Sequence, residues 1–431
     1  MRGRAVFVIR FMRISAAVAA CTILVRLPSE CYGQLTARGL GMGGAYTALA
    51  RGVHAPDWNP ANLGLPDNPK SSLSIVSVGV GIGNNSISIN TYNRYATDSY
   101  WDPDEIQDLL DRIPDDGFEG DLRAQVRLLS FSTGRFALVL GADAGADARM
   151  AKNFFQIPLQ GTRINAVYDF GQTRADGAGI GFAKLSYAHP LSVEFAEHAA
   201  VGGTFHLLYG GGYASTERVD LAMGLMDYGI DLNGGYKAKV AMGKLGWGFD
   251  VGAAATLRKK WTIGLSFENL YSSVPFGQKV RIEEGYIRGD SLDVLDIKDI
   301  EEDEEESPLH HSTWTVKEKP FHVRLPVVCR VGGAYQDGAT VITYDYVQGF
   351  SEGAWASTRP RMSFGTEWRG LGWLPLRMGV IFGGRIGFGT SAGLGLRLGA
   401  FAFDIGFLSQ GFFLPSTSKG LALALEIGVG L

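Results

Sequence analysis

Three short patterns in this chain have residue types that could do chemistry, and the first matches the nucleophile motif of hydrolases. Residues 389–393 (GTSAG) fit GxSxG. The serine of that motif stands on a turn between a strand and a helix. The residues after Gly393 alternate leucine with glycine and arginine, which predicts a strand. His206 and Asp250 have the right types for partners, yet nothing in the sequence places them near Ser391. We therefore predict that the protein is not an enzyme and has no catalytic residue.

The other two patterns would serve nucleotide or metal binding. Residues 39–44 (GLGMGG) fit GxGxxG, which binds a dinucleotide when a strand precedes it and an acidic residue follows about 20 positions on. Here no strand pattern precedes it. Residues 299–306 (DIEEDEEE) lack the alternating ligand spacing of a calcium loop, and the adjacent His310 and His311 would point apart on an extended chain. We predict no metal and no cofactor, with a divalent-cation site on this run as the minor alternative.

The remaining charged residues alternate along the chain with large apolar residues. This alternation identifies the secondary-structure elements that must position the charges. In residues 421–431 every odd position is Leu, Ile or Val and every even position is small or charged. This period of two is typical of a strand with one apolar and one polar face. The polar faces carry both acidic and basic residues, as expected for a narrow lumen that contains ion pairs. The predicted lumen-facing charges are Asp250, Glu268, Asp345, Glu367, Arg369, Arg377, Arg397, Asp404 and Glu426.

Strand patterns of this kind recur through the chain about fourteen times, give or take two. They predict an all-β fold, a transmembrane antiparallel β-barrel of about 14 strands whose apolar face meets lipid. A soluble β-sandwich is the alternative. Glycine, with 59 of 431 residues, is about twice as frequent as the usual roughly 7%. After the N-terminus no apolar run reaches about 18 residues, which excludes a helical membrane protein.

Two stretches break the strand rhythm. Asp102 precedes Pro103 and early acidic residues, which predicts one short helix ending before Pro114. Residues 283–319 contain the acidic run, and a block of like charges predicts a long solvated loop on the extracellular side.

The N-terminus predicts export. Arginines, an apolar stretch from residue 14 to 25 and small residues before Gln34 describe a signal peptide over residues 1–33, cleaved after Gly33. Residues 18–21 (VAAC) could instead be a lipoprotein box. Cleavage removes five arginines and one glutamate from 40 basic and 44 acidic residues, leaving a net charge of −8 and Cys329 as the one cysteine. No disulfide or nucleic-acid partner is then expected, and the location is the outer membrane of a Gram-negative-type bacterium.

The mature N-terminus carries a box of small residues, RGLGMGGAY over residues 38–46, followed by WNPA over residues 58–61. This box resembles the start of the FadL-like outer-membrane barrels, which include long-chain fatty acid and aromatic hydrocarbon transporters and barrels of the type IX secretion system. Further similarity lies in residues 246–252, 263–270 and 375–379, with the closest likeness to an uncharacterised subgroup.

The resemblance implies a plug over residues 34–68 inside a barrel over residues 69–431. It would place in the plug Gly39, Gly41, Gly43, Gly44, Asn59 and Pro60. It also implies passage of a hydrophobic small molecule, fatty-acid or hydrocarbon-like, through the plugged lumen of a barrel set in outer-membrane lipid. The alternative is a non-transporting scaffold or secretion-associated barrel that binds exported proteins or envelope machinery, and a generic diffusion pore is a third hypothesis.

Overall fold

The computed structural model describes residues 34–97, 101–292, 309–351 and 357–430. The predicted signal peptide, the acidic run at residues 299–306 and Leu431 lie outside these ranges. The described chain is dominated by antiparallel strands. They are β1 Ser71–Asn84, β2 Phe118–Thr133, β3 Phe136–Met150, β4 Ala166–Asp169, β5 Arg174–Leu191, β6 His198–Met226, β7 Gly229–Gly243, β8 Leu245–Leu257, β9 Trp261–Leu292, β10 Leu309–Lys317, β11 Phe321–Val323, β12 Val328–Asp337, β13 Thr340–Gly349, β14 Arg361–Trp368, β15 Leu376–Gly383, β16 Gly387–Leu398, β17 Phe401–Gln410 and β18 Gly420–Gly430.

These strands close into one 14-stranded antiparallel barrel, because β1 pairs with both β2 and β18. Several strands are successive pieces of one position in the ring. β7 and β8 follow each other between β6 and β9, and β10, β11 and β12 follow each other along β9. β4 likewise precedes β5 along β6. The predicted fold class and strand number are therefore confirmed.

The outer face of the barrel is apolar. On β18, Leu423, Leu425 and Ile427 are exposed, whereas Ala424 and Glu426 between them are buried. Closure leaves no unpaired edge in the ring, so a face of this kind can lie in lipid without unsatisfied backbone groups. Among the described residues no helix is long and apolar enough to cross a membrane.

The two ends of the barrel differ in their connections. At one end, which we call the short-turn end, β2 and β3 are joined by residues 134–135, β12 and β13 by residues 338–339, and β16 and β17 by residues 399–400. At the other, the long-strand end, β6 and β9 reach 29 and 32 residues and extend beyond the ring. There β10 pairs with β9 from Arg281 to Gly289, so the flanks of region 283–319 form a β-hairpin.

The described residues include five short helices, two before β1 and three between strands. They are α1 Ala37–Gly41, α2 Ala55–Trp58, α3 Ile89–Thr97, α4 Pro103–Asp111 and α5 Asn153–Gln160, with 3₁₀ turns at Gly52–His54, Pro60–Gly64 and Pro415–Thr417. α4 is the predicted helix, and Asp102 with Glu105 forms its capping box. The prediction of a single helix is wrong, because the other four span only four to nine residues and are too short to show a helical period.

Candidate functional site

The N-terminal segment, residues 34–68, packs against the inner face of the barrel. α1 contacts β15, β16, β17 and β18, and the Pro60–Gly64 turn contacts β5, β6 and β8 on another side of the ring. Ala37, Tyr46, Asn59 and Asn62 are wholly buried. The segment therefore crosses the interior from one side of the wall to another.

Glycines on the wall allow the backbone of the segment to lie directly on the strands. A Cβ atom added at Gly379 would lie 2.4 Å from the amide nitrogen of Gly43, and one at Gly406 would lie 2.2 Å from the carbonyl oxygen of Ala37. Such distances leave no room for any side chain. At nine wall glycines an added Cβ would lie within 3.0 Å of an atom of the segment, which at Gly252 and Gly264 belongs to the Asn59 side chain. We call these nine the glycine belt: Gly79, Gly202, Gly252, Gly264, Gly332, Gly365, Gly379, Gly393 and Gly406.

The glycines predicted for the plug meet this belt or turn the chain beside it. Gly41 lies against Gly393. A Cβ atom added at Gly41 would be 3.0 Å from the Cα atom of Gly393. Gly43 and Gly44 have φ angles of +66° and +77°, which glycine adopts without steric cost. Gly39 packs within the segment, where a Cβ would lie 2.3 Å from the ring of Trp58.

Asn59 and Pro60, the other predicted plug residues, lie on the opposite side of the ring. The amide of Asn59 donates to the carbonyl of Ala253 at 3.0 Å and its oxygen accepts from the Ala61 N–H at 3.1 Å. An added Cβ at Gly202 would lie 2.6 Å from the carbonyl carbon of Pro60. All six predicted plug residues thus lie within the enclosed segment.

A buried ion cluster, which we call the Asp57 cluster, joins α2 to the wall. Arg127 Nε donates to Asp57 Oδ2 at 2.8 Å and Lys184 Nζ donates to Asp57 Oδ1 at 2.6 Å. Arg127 Nη1 also lies 2.5 Å from Asp143 Oδ1. Burial alone would raise the pKa of Asp57, but the two cations outweigh it and hold the pKa below its usual value. Asp57 is therefore an ionised link between segment and wall.

A second ion cluster, the arginine cluster, joins α1 to the wall. It consists of Arg38 from the segment with Glu367, Arg369, Arg377, Arg397 and Asp404. Arg377 bridges the two acids, with Nε 2.5 Å from Glu367 and Nη1 2.6 Å from Asp404. Five of the nine predicted lumen-facing charges thus belong to one network.

Two further predicted lumen residues hold the segment through hydrogen bonds. Asp345 Oδ2 accepts from the backbone N–H groups of Tyr46 at 3.1 Å and Thr47 at 2.9 Å. Glu268 accepts from the side-chain amide of Gln34 at 3.2 Å. The Asp345 contacts hold the chain between the two ion clusters, and the Glu268 contact holds the start of the segment.

The last two predicted lumen residues pair with histidines. Glu426 Oε1 lies 3.3 Å from Nε2 of His54 in the segment. Asp250 Oδ2 lies 2.6 Å from His206 Nε2, and both side chains are buried on the wall. Eight of the nine residues thus contact the segment or one another, and Asp250 is paired with His206 of the wall.

The hydrolase motif makes no catalytic site in this arrangement. Ser391 is in the middle of β16, where its hydroxyl donates to the carbonyl of Gly41 at 3.1 Å. A nucleophile elbow requires a helix directly after the serine, and β16 instead continues to Leu398. His206 is bonded to Asp250 and not to this serine.

Sequence reasoning missed Asp57, Arg127 and Lys184. Asp57 directly precedes the Trp-Asn-Pro of the N-terminal box, and an acidic residue within so apolar a stretch was a usable signal. Arg127 alternates with Arg123 and Gln125 on β2, a polar face like those recognised elsewhere.

Part of the inner face beyond the segment, on β5, β6, β7 and β9, is apolar. Phe276 is wholly buried there, with its ring centroid 5.3 Å from that of Tyr213 and 5.6 Å from that of Phe321. The lumen apolar cluster comprises Ile180, Leu208, Ala241, Val274, Phe276 and Val280, packed against Phe182, Tyr213, Phe321, Val323 and Leu325. A cavity of about 40 Å³ lies between this cluster and the segment. Its lining is mixed, with Ile180, Phe182, Leu208, Leu325 and Val328 on the apolar side and Gln34, Arg123, Gln125, Asp143, Lys184, His206, Glu268 and Asn269 on the polar side.

Comparison with known proteins identifies both a family and a fold. Residues 57–346 match the model of a family described as F plasmid transfer operon, TraF, protein. No curated protein matches the chain in sequence.

Solved structures share the whole barrel at low sequence identity. The Ralstonia pickettii toluene transporter TbuX is 13% identical with a TM-score of 0.52, covering 93% of this chain and 99% of its own. A TodX deltaS2S3 mutant monoaromatic hydrocarbon channel is 10% identical with a TM-score of 0.53 over 93% and 99%. The CymD monoaromatic hydrocarbon channel is 10% identical with a TM-score of 0.50 over 94% and 99%. The predicted FadL-like resemblance is therefore confirmed for the fold.

Proposed function

The chain belongs to the family described as F plasmid transfer operon, TraF, protein, and we propose that it is an outer-membrane barrel that admits hydrophobic small molecules. In this proposal residues 34–68 are a plug, residues 69–431 form the barrel, and the hairpin around residues 283–319 is extracellular. Short turns face the periplasm and longer connections face outward in such barrels. The ligand is fatty-acid or hydrocarbon-like.

The observation that carries this proposal is the lumen apolar cluster. A pore for polar solutes has a polar, water-filled interior, whereas here aromatic and aliphatic side chains surround Phe276 beside the plug. The charges that the sequence predicted for the lumen do not oppose an apolar ligand, because they are engaged with the plug, with one another or, at Asp250, with His206. The printed names of TbuX and CymD, a toluene transporter and a monoaromatic hydrocarbon channel, agree with this ligand class.

A charge placed in the lumen apolar cluster should stop passage. We expect Phe276→Lys to reduce uptake of a radiolabelled fatty acid or toluene at least about 10-fold, since a buried, unpaired ammonium repels an apolar ligand and holds water. Phe276→Leu, which keeps an apolar side chain, should retain most uptake. The measurement uses a strain that lacks other transporters of this kind, with outer-membrane levels of each variant checked. Failure of the unmodified protein to take up any hydrophobic compound would contradict the proposal.

The second candidate function, an outer-membrane scaffold, is favoured by the strands that extend beyond the ring. Their surface carries ion pairs, as between Arg218 and Asp220 and between Lys237 and Glu284, beside exposed aromatic side chains such as Trp314. If this extension binds exported proteins, photocrosslinkers at Arg288 and His310, both exposed, should capture one defined partner in intact cells. A crosslinker at Lys259, exposed in the β8–β9 turn at the short-turn end, is the control for position. No captured protein at either site would count against the scaffold.

A further inference from the structure

A cavity of about 660 Å³ opens between the N-terminal segment and the wall at the short-turn end. It is separate from the lumen apolar cluster, which lies on the other side of the segment. Its lining joins the arginine cluster to apolar side chains that include Leu49, Leu73 and Val429. Volumes of roughly 300–1,000 Å³ are usual for small-molecule sites.

The charges of this cavity do not balance. In the arginine cluster four guanidinium groups share only two carboxylates, those of Glu367 and Asp404. When the cavity's other charged residues Arg51, Asp67 and Glu426 are included, five arginines still face four carboxylates. A surplus of positive charge in a partly buried site is unfavourable unless an anion compensates it.

Within the arginine cluster the arginines are the outer charges. The side chains of Arg369 and Arg397 are 38% and 28% exposed, whereas those of Glu367 and Asp404 are 0% and 6% exposed. A solute that reaches this cluster therefore meets guanidinium groups first, with Glu367 and Asp404 recessed behind them. Asp67, which is 60% exposed, is paired with Arg51.

Donors in the cluster remain unused. Arg377 is wholly buried, and its Nη2 atom has no hydrogen-bond partner among the described residues. The Nε atom of Arg38, on the segment side, is also buried and has no hydrogen-bond partner among the described residues. Buried donors without partners are rare in folded proteins and mark places where a ligand or water completes the site.

We propose that this cavity binds a small organic oxyanion, a carboxylate or a phosphate, between the segment and the wall. The planar guanidinium fork matches both groups. The apolar lining around Leu73 and Val429 would accommodate the ligand's remaining carbon atoms. This goes beyond the proposed function, since it assigns a charged ligand to the opposite side of the segment and does not depend on passage of hydrophobic compounds.

Three probes of nearly the same shape test the proposal by calorimetry on the purified mature protein in an uncharged detergent. They are benzoate, phenyl phosphate and neutral benzamide. We expect benzoate or phenyl phosphate to bind at least about 10-fold more tightly than benzamide, with affinity falling as salt is added. The tighter of the two anions identifies whether the natural ligand carries a carboxylate or a phosphate.

Arginine variants locate the site. Arg369→Gln combined with Arg397→Gln should weaken anion binding at least about 10-fold, and both positions are partly exposed, so the barrel should still fold. Arg218→Gln, on the extension at the long-strand end, should leave binding unchanged. Circular dichroism and heat-dependent gel migration check folding. Equal binding of benzamide, no binding of either anion, or full retention in the double variant would overturn the proposal.

Discussion

Asp57→Ala is expected to release the N-terminal segment from the barrel wall at a cost of about 3–5 kcal/mol. The substitution removes the only carboxylate that the structure shows bonded to Lys184 among the described residues, and leaves Arg127 with Asp143 alone. Both cations are buried, so neither can regain hydration without opening the site. By this magnitude the population of barrels with a displaced segment rises by about two to four orders of magnitude.

Planar-bilayer conductance measures that displacement, because an open lumen passes ions and a plugged one does not. Asp57→Ala should show frequent open events, whereas Asp67→Ala, which breaks the exposed pair with Arg51, should resemble the unmodified protein. Combining Asp57→Ala with Arg127→Gln and Lys184→Gln should restore part of the closure, since no unpaired cation then remains. Equal, low conductance of Asp57→Ala and the unmodified protein would show that the Asp57 cluster does not hold the segment.

Gly379→Val is expected to exclude the segment from its place by steric conflict alone. A Cβ atom at this position would lie 2.4 Å from both Gly43 N and Met42 C, which are backbone atoms of the segment. Neither partner can move aside as a flexible side chain would, so the strand or the segment must shift. Overpacking of this kind costs about 1–3 kcal/mol, and more where backbone meets backbone.

Gly333→Val is the matched control, because a Cβ at Gly333 has nothing within 4 Å. Protease treatment of the folded barrel, with mass spectrometry of the N-terminal fragments, reports whether the segment is protected. We expect Gly379→Val to expose cleavage sites within residues 34–65 and Gly333→Val to leave them protected. Identical protection in the two variants would mean that the glycine belt is not a steric requirement for seating the segment.

The fold was predictable from the sequence because a closed barrel with an apolar outer face imposes its requirement on every strand separately. Each strand needs an apolar outer face, and so residues 421–431 carry a visible period of two. The helix α4 was predictable for a similar reason, since its capping box lies within four consecutive residues. The inward position of Glu367 and Arg377 followed from the same alternation.

The pairing of those inward residues was decided by the tertiary structure alone. Asp57 is bonded to Arg127 and Lys184, which are 70 and 127 positions away in the sequence. Arg38 is bonded to Glu367, which is 329 positions away. The alternation of apolar and polar residues predicts whether a side chain is on the inner or the outer face of the barrel. It does not predict the position of that side chain along the barrel axis or its neighbours across the lumen. Those depend on the stagger of the closed ring and on the path of the segment inside it.

The same limit explains the glycines. The sequence determined that small residues occupy the polar faces of many strands, and a general need for close backbone approach could be inferred for the N-terminal box. Only the closed barrel shows that glycines such as Gly79 and Gly406, far apart along the chain, meet one continuous segment. The physical reason is that strand patterning is a local response to solvent, whereas contacts across a lumen exist only once the ring has closed.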